Sequence, residues 1–356
     1  MEAVIVAGGL GTRLRPLTQH RPKHLIPVGG VPFVVHQLAK LAAVGVDHVV
    51  LATSYHSELF EPVLGDGSTW RLKISYVTEP APLGTAGAIR NVTDALLSGP
   101  DDPVVVLNGD ILSGHDLAAQ VDVHESRSAD VTLHLVEVPD ARSFGCVPTD
   151  DEGRVLGFME KSPDPVTHQI NAGCYVFRRA MIDQIPPGRV VSLERETFPR
   201  LLADDRRVLG VLDPAYWLDL GTPEALVRAS SDLVRGIATS PAYEHPSSEA
   251  WIDPGARVDP VAHIRGGSAV SAGASVGVRA LLEGSVVLEG AEVAAGARVI
   301  DSIVAAGARV GARVVLRDAV VGEHAVVGAG CELIGGARVW SDTTIPDGGI
   351  RFSPDV

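Results

Sequence analysis

Ala7-Gly-Gly-Leu-Gly-Thr-Arg13 follows directly on a short apolar run, Ala3-Val-Ile-Val-Ala7. Glycines there allow positive φ and close approach of backbone to a ligand, and successive amides can form an anion nest. The spacing is not the GxxxxGK[ST] of a P-loop. A dinucleotide fold would carry a third glycine and an acid closing its second strand; Thr12-Arg13 and Ser54-Tyr55 stand in those places. The stretch continues through Arg15 to Thr18 and then as Arg21-Pro-Lys-His-Leu-Ile-Pro-Val28. Arg13, Arg15 and Lys23 thus set three cations around the nest, the electrostatics of a triphosphate site. Of thirty basic residues only Lys23, Lys40, Lys73 and Lys161 are lysine. Lysine at 23 and 161 points to sites needing a compact ammonium on a flexible stem. Lys40 and Lys73 read as incidental surface residues. Two carboxylates complete the set: Asp110 just past the apolar run Val104–Leu107, and Asp219 within Trp217-Leu-Asp-Leu-Gly-Thr222. Together with phosphate oxygens they suit Mg²⁺, which takes few protein ligands and keeps waters.

Such residues need a sheet edge to present them. Apolar runs at Ala3–Ala7, His48–Thr53, Ser75–Thr78, Val104–Leu107 and Val131–Val136 read as strands. Helical stretches are expected at Phe33–Val44 and over 85–97 and 116–128. The alternation predicts an α/β, Rossmann-like domain with helices on both sheet faces and ligands beyond the carboxyl ends of its strands. Residues 237–249, with two prolines and several small polar residues, read as a linker between a domain over 1–236 and a second over 250–345, with 346–356 as a tail.

The second half is a repeat. Apolar residues stand six apart at Ile252, Val258, Ile264, Val270, Val276 and Leu282. The phase then slips by one, through Val287, Val293 and Val299; Val304, Val310 and Leu316; and Val321, Val327, Leu333 and Val339. An apolar residue at every sixth position, three per turn, predicts a left-handed parallel β-helix of hexapeptide repeats with about five stacked coils.

A formal net charge of −14 over 356 residues argues against nucleic acid or an anionic membrane surface as partner. Aromatics at 4% disfavour a stacking platform for single strands. No apolar stretch approaches the roughly 18–20 residues of a membrane helix. The start is not expected to be a secretory signal. Cys146, Cys174 and Cys331 offer no CxxC spacing, so a reducing cytoplasm and buried packing are expected.

The glycine–arginine–lysine stretch, Gly84-Thr-Ala-Gly87, Asn108-Gly-Asp110, Glu160-Lys161, Asn171-Ala-Gly-Cys-Tyr175, Trp217–Thr222 and the closing Pro346–Arg351 resemble the sugar-1-phosphate nucleotidyltransferases. The likeness is nearest the guanylyltransferase branch for mannose 1-phosphate that ends in a left-handed β-helix, and it covers essentially the whole chain. It implies that Ala7, Gly8, Gly9, Leu10, Gly11, Thr12 and Arg13 wrap base and triphosphate, with Arg13 and Lys23 stabilising phosphate charge. Glu79 and Gly84 would lie against the base, and Asp110 and Asp219 would hold Mg²⁺. Lys161 would bind the phosphate of the sugar, while Gly145, Glu160, Asn171 and Gly173 line the hexose pocket. GTP and mannose 1-phosphate are the expected substrates. Alternatives are adenylyl or thymidylyl transfer, another hexose 1-phosphate, or a hexose-like cyclitol phosphate such as valienol 1-phosphate. A different class, the non-catalytic regulatory subunit, would be expected to lack a metal carboxylate or a loop cation; Arg13, Lys23, Asp110, Lys161 and Asp219 are all present.

The chemistry needs no protein nucleophile and no general base. An ionised sugar phosphate can attack the α-phosphorus directly while pyrophosphate leaves in line, so catalysis reduces to alignment and charge neutralisation. Glu79 bears on base choice: an ionised carboxylate only accepts, and guanine offers two adjacent donors on its pairing edge. His263 and His324 are the only candidate bases of the β-helix. That half is expected to serve assembly of a homo-oligomer and support, leaving the first half chemically complete.

Overall fold

The first apolar run forms β1 (Glu2–Ala7), an inner strand of a seven-stranded sheet. It is flanked by β2 (His48–Thr53), β3 (Lys73–Thr78), β4 (Pro103–Asn108), β5 (Val131–Glu137), β6 (Gln169–Arg178) and β7 (Val208–Leu212), in the order β7-β5-β6-β4-β1-β2-β3. The computed structural model describes residues 1–159, 161 and 163–351. Their packing divides the chain into two units, Met1–Gly9 with Gln37–Trp217, and Leu10–His36 with Leu218–Val356.

In the first unit the pairings are parallel except around β6, which runs antiparallel to both β4 and β5. Both parities of β1 and β2 are buried: Val4 and Val50 on one set, Ile5 and Leu51 on the other. Successive strand residues point to opposite faces, so both faces are covered, as expected of a largely parallel sheet. One core gathers Val4, Val50, Val104 and Val106 with Ile89, Met181 and Phe198 from the helices. The helix expected over 85–97 is shorter, Gly84–Asn91, followed by a 3₁₀ turn Thr93–Ala95. The one expected over 116–128 spans Leu117–Ser126, with Asp116 as its N-cap accepting from the Ala119 amide.

In the second unit the six-residue period becomes three parallel sheets of six, six and five short strands, a left-handed β-helix. Val270, Val276, Leu282, Val287, Val293 and Val299 fill its axis and are buried. Ile252 of the first coil is 43% exposed, because the end coil has no neighbour on one side. A ladder of buried serines lines one corner: the amides of Ser285, Ser302 and Ala319 donate to Ser268, Ser285 and Ser302 Oγ at 3.0, 3.1 and 3.1 Å. The same unit holds the helix Pro223–Val234, whose Ser231 Oγ donates to the Gly266 carbonyl at 2.6 Å. Residues 237–249 carry no helix or strand, yet Ser240 Oγ meets His36 Nδ1 at 2.7 Å and the Ser248 amide donates to Val234. Cys146, Cys174 and Cys331 are unpaired in disulfides and buried.

Lys40 departs from its expected place on the surface. Its ammonium donates to the Ser113 carbonyl at 2.8 Å and meets His115 Nδ1 at 2.9 Å. His115 stacks on His134 at 3.8 Å and reaches Gln120 Oε1 at 3.1 Å. The helical period puts Lys40 at the polar margin of Phe33–Ala43, where its stem can bury and its head fold back inward. Burial brings the Lys40 pKa down to about 8. Lys73 is exposed, as expected.

The buried histidines set an acid limit on the fold. Burial lowers His36, His124 and His134 to about 4 and His115 to about 2. In the unfolded chain these groups protonate near 6.5, whereas the folded chain resists protonation to far lower pH. Their contribution is therefore whole above pH 6.5 and is lost as pH falls from 6.5 towards 4. We expect the urea midpoint to drop between pH 7 and pH 5, with unfolding at pH 5 taking up roughly three or more protons. A midpoint flat across that range would mean these rings protonate without unfolding.

Candidate active site

Register brings the first unit's predicted residues to one edge. Ala7, Thr53 and Thr78 are aligned partners, as are Val6 and Asn108. The residues that follow these strands, Gly8, Ser54, Glu79 and Asp110, therefore emerge at the same carboxyl edge. Ser54 Oγ donates to the Gly8 carbonyl, and the Gly109 amide donates to Val6 at 2.9 Å. A side chain at Gly8 would collide with Glu79 Oε1. Glu79 is only 7% exposed and its Oε2 accepts the Leu83 amide at 2.9 Å. It is thus a buried holder of the turn into Gly84, and burial raises its pKa.

Gly84 itself has a packing reason that sequence reasoning missed. It sits at φ +71°, and a Cβ would lie 2.6 Å from the Val191 carbonyl. That carbonyl accepts the Ala86 and Gly87 amides, while the Val191 amide donates to Leu83 and that of Leu193 to Thr85 Oγ1. The start of this helix is therefore zipped to the strap 189–193.

The strap leads into a five-residue π-helix, Leu193–Thr197, that walls a cavity of about 510 Å³ in the first unit. Gly145, Lys161 and Asn171 line it together with Ser192, Glu194 and Arg195. Asn171 Nδ2 donates to Tyr175 Oη at 2.8 Å and to Glu194 Oε1 at 3.3 Å, and Ser192 Oγ meets Glu194 Oε2 at 3.1 Å. Gly173, at φ +76°, packs instead against Asn108, whose Nδ2 would lie 2.8 Å from an added Cβ. Glu160 lies outside the described residues. Ser192, Glu194 and Arg195 escaped the sequence reading; the charged run Glu194-Arg195-Glu196 after Val190-Val191 was the one signal available. The cavity can hold an anionic end between Lys161 and Arg195 and hydroxyls along Asn171 and Glu194.

The second unit holds the remainder. Leu10 is 47% exposed, and Gly11 sits at φ +59° with Thr18 Cγ2 and Lys23 Cβ placed 3.0 and 3.3 Å from an added Cβ. Thr18 Oγ1 donates to the Gly11 carbonyl at 2.9 Å. The 3₁₀ turn Thr12–Leu14 buries Leu14 and leaves Arg13 outward. Arg13 and Asp219 converge on Gly221: an added Cβ there would lie 2.9 Å from both Arg13 Cζ and Asp219 Oδ1. Thr222 next caps the helix Pro223–Val234 by accepting the Ala225 amide at 3.2 Å.

Asp110 and Asp219 are hard oxygen donors, and among the described residues no group of three or more His, Cys, Asp or Glu could cage a metal. Carboxylate oxygens are the donors that a hard divalent cation takes, in company with phosphates and water. Among the described residues, no helix is long and apolar enough to cross a membrane.

A Rossmann-like sheet with a glycine–cation loop and a β-helix defines a nucleotidyltransferase, and the chain belongs to the nucleotidyl transferase family, whose model matches residues 2–236. The GMPPB C-terminal domain matches residues 247–348. The chain is 53% identical to mannose-1-phosphate guanylyltransferase of Mycobacterium tuberculosis over 100% of its length and 99% of that protein. It is 39% identical to mannose-1-phosphate guanylyltransferase 1 of Arabidopsis thaliana, over 63% of this chain and 62% of that one. Among solved structures, HddC from Yersinia pseudotuberculosis complexed with GMP-PN has a TM-score of 0.55 at 28% identity, covering 65% of this chain and 98% of its own.

Gly221→Ala should strike function without unfolding the protein, because its Cβ displaces the Arg13 head from Asp219. A shift of about 1 Å in a catalytic group can cost roughly 100-fold. We expect kcat/KM for the nucleotide to fall by about 10- to 100-fold, with a thermal midpoint near that of the wild type. Undiminished turnover in the alanine variant would remove Arg13 from the site.

Proposed function

We propose that the protein transfers a guanylyl group from GTP to mannose 1-phosphate, giving GDP-mannose and pyrophosphate. The observation that carries this reading is the 53% identity, along the whole chain, to a protein of that name. The cavity of Lys161, Arg195, Asn171 and Glu194 supports it, since a sugar phosphate needs both a cationic end and hydroxyl partners.

In the reaction an ionised oxygen of mannose 1-phosphate attacks the α-phosphorus of GTP. The new P–O bond forms as the α–β bridge breaks, and its electron pair leaves with pyrophosphate. No proton need move. Lys161 and Arg195 hold the attacking phosphate, and Asn171 and Glu194 orient the hexose. Gly8, Gly9 and Gly11 offer amides to the triphosphate, and Arg13 and Lys23 neutralise charge that builds on the leaving group. Asp110 and Asp219 are the carboxylates offered to Mg²⁺, which when bound adds positive charge at the phosphates. Glu79 faces the guanine donors with the acceptor capacity that the Leu83 amide leaves over.

Pyrophosphate release over a grid of nucleoside triphosphates and sugar 1-phosphates tests the assignment; GTP with mannose 1-phosphate should give the highest kcat/KM. Lys23→Arg and Asp110→Asn should each lower turnover by about 100-fold or more with small changes in folding stability. Wild-type rates in both would dismiss the proposed centre. Glu79→Gln keeps an acceptor for Leu83 but loses the second one for guanine. The preference for GTP over ATP and dTTP should then narrow by roughly 5- to 150-fold, the worth of a buried polar group left unpaired. Unchanged ratios would assign base choice elsewhere.

A further inference from the structure

The signature stretch is held by the β-helix. One nitrogen of the Arg338 guanidinium, Nη1, donates to the main-chain carbonyls of both Arg13 and Arg15, at 2.7 and 2.8 Å. Arg338 lies on the last strand of the first β-helix sheet, Arg338–Val339. Three residues on, the Ser341 amide donates to Gln19 Oε1 at 3.3 Å. Arg21 reaches Glu323 Oε1 at 3.3 Å and Glu289 Oε2 at 3.8 Å. Glu289, Glu323 and Ser341 each stand two residues beyond Val287, Val321 and Val339, which are aligned through the sheet. They therefore occupy one corner of the helix, on the first, third and fourth of four stacked levels. All of these residues belong to the second unit.

We propose that Arg338 is a positioning residue for nucleotidyl transfer, fixing the turn from which Arg13 projects, so that the β-helix completes the catalytic machinery. This rests on the reading of Arg13 as a phosphate-binding cation. The two carbonyls flank Leu14, at the end of the 3₁₀ turn, so a single planar donor sets both position and tilt of that turn. Charge-assisted hydrogen bonds are roughly twice as strong as neutral ones, and a site is only as well aligned as the groups that support its ligating residues. The Arg21 pairs and the Gln19 contact keep the following segment on the same corner. The expectation that the first half alone holds a complete site is thereby revised: Arg13 stands on a support supplied by residue 338.

The test uses the full-length protein with Arg338→Ala, Arg338→Met and Arg338→Lys. Each is assayed for pyrophosphate release with GTP and mannose 1-phosphate, for GTP affinity by calorimetry, and for thermal midpoint. The Ala and Met variants should lose at least tenfold in kcat/KM for GTP, while KM for mannose 1-phosphate moves less than threefold. Lysine can still donate to both carbonyls and should recover most of the loss, which a merely structural contribution would not require. Met keeps the stem without donors, so it decides the matter if Ala does not fold. Kinetics for GTP within twofold of wild type in Met, or a Lys variant no better than Met, would overturn the proposal. Wild-type protein silent with every substrate pair would instead refute the proposed function, and Arg338 would then be judged on GTP affinity alone.

Discussion

A protein of net charge −14 that gathers a triphosphate must keep its cations where the phosphate charge will fall. Free arginine and lysine side chains would have to be ordered during the reaction, at a cost that preorganised groups have already met in folding. Arg13, one of the proposed phosphate cations, illustrates the arrangement. Its head rests at Gly221, where no Cβ intrudes, beside Asp219. Its backbone carbonyl is gripped by Arg338. The root of Arg13 is thus fixed, and its outward head lies against Gly221. Lys23 is placed by the same economy, with its Cβ against Gly11, a residue whose left-handed φ of +59° glycine adopts freely.

The first unit meets a different demand, that of linking the predicted base side to the predicted sugar cavity. Glu79 holds Leu83, Leu83 is bonded to Val191, and two residues further the π-helix begins that carries Glu194 and Arg195. A turn at the predicted base side and a wall of the predicted sugar cavity are thus parts of one hydrogen-bonded strap. The glycines of Gly84-Thr-Ala-Gly87 make it possible, since each lets a carbonyl of the strap approach to a distance that any Cβ would forbid.

Much of this was legible in the residues. The β-helix was plain because every coil repeats the same axial requirement, and the sheet edge because apolar strands end in glycine or acid at matching register. The antiparallel direction of β6 was not, since an apolar run reads alike from either end. Lys40 was misread for a related reason: helical periodicity reports which face a residue occupies and not where a long stem turns its ammonium. Ser192, Glu194 and Arg195 sit on a short π-helix and its N-cap, which no spacing betrays. Arg338 was beyond reach of any local pattern, because its partner Arg13 is 325 residues away.

A stacked coil is in principle free to grow or shrink, since each level pairs only with its neighbours. Here the count is fixed. Neighbouring strands lie about 4.8 Å apart, so inserting or deleting one turn below residue 338 would leave every valine in register and the axis well filled. It would also carry the Arg338 guanidinium one level away from the Arg13 and Arg15 carbonyls, farther than a hydrogen bond spans. The solenoid therefore acts as a ruler, with as many turns as are needed to bring one donor level with the turn of Arg13 to Arg15.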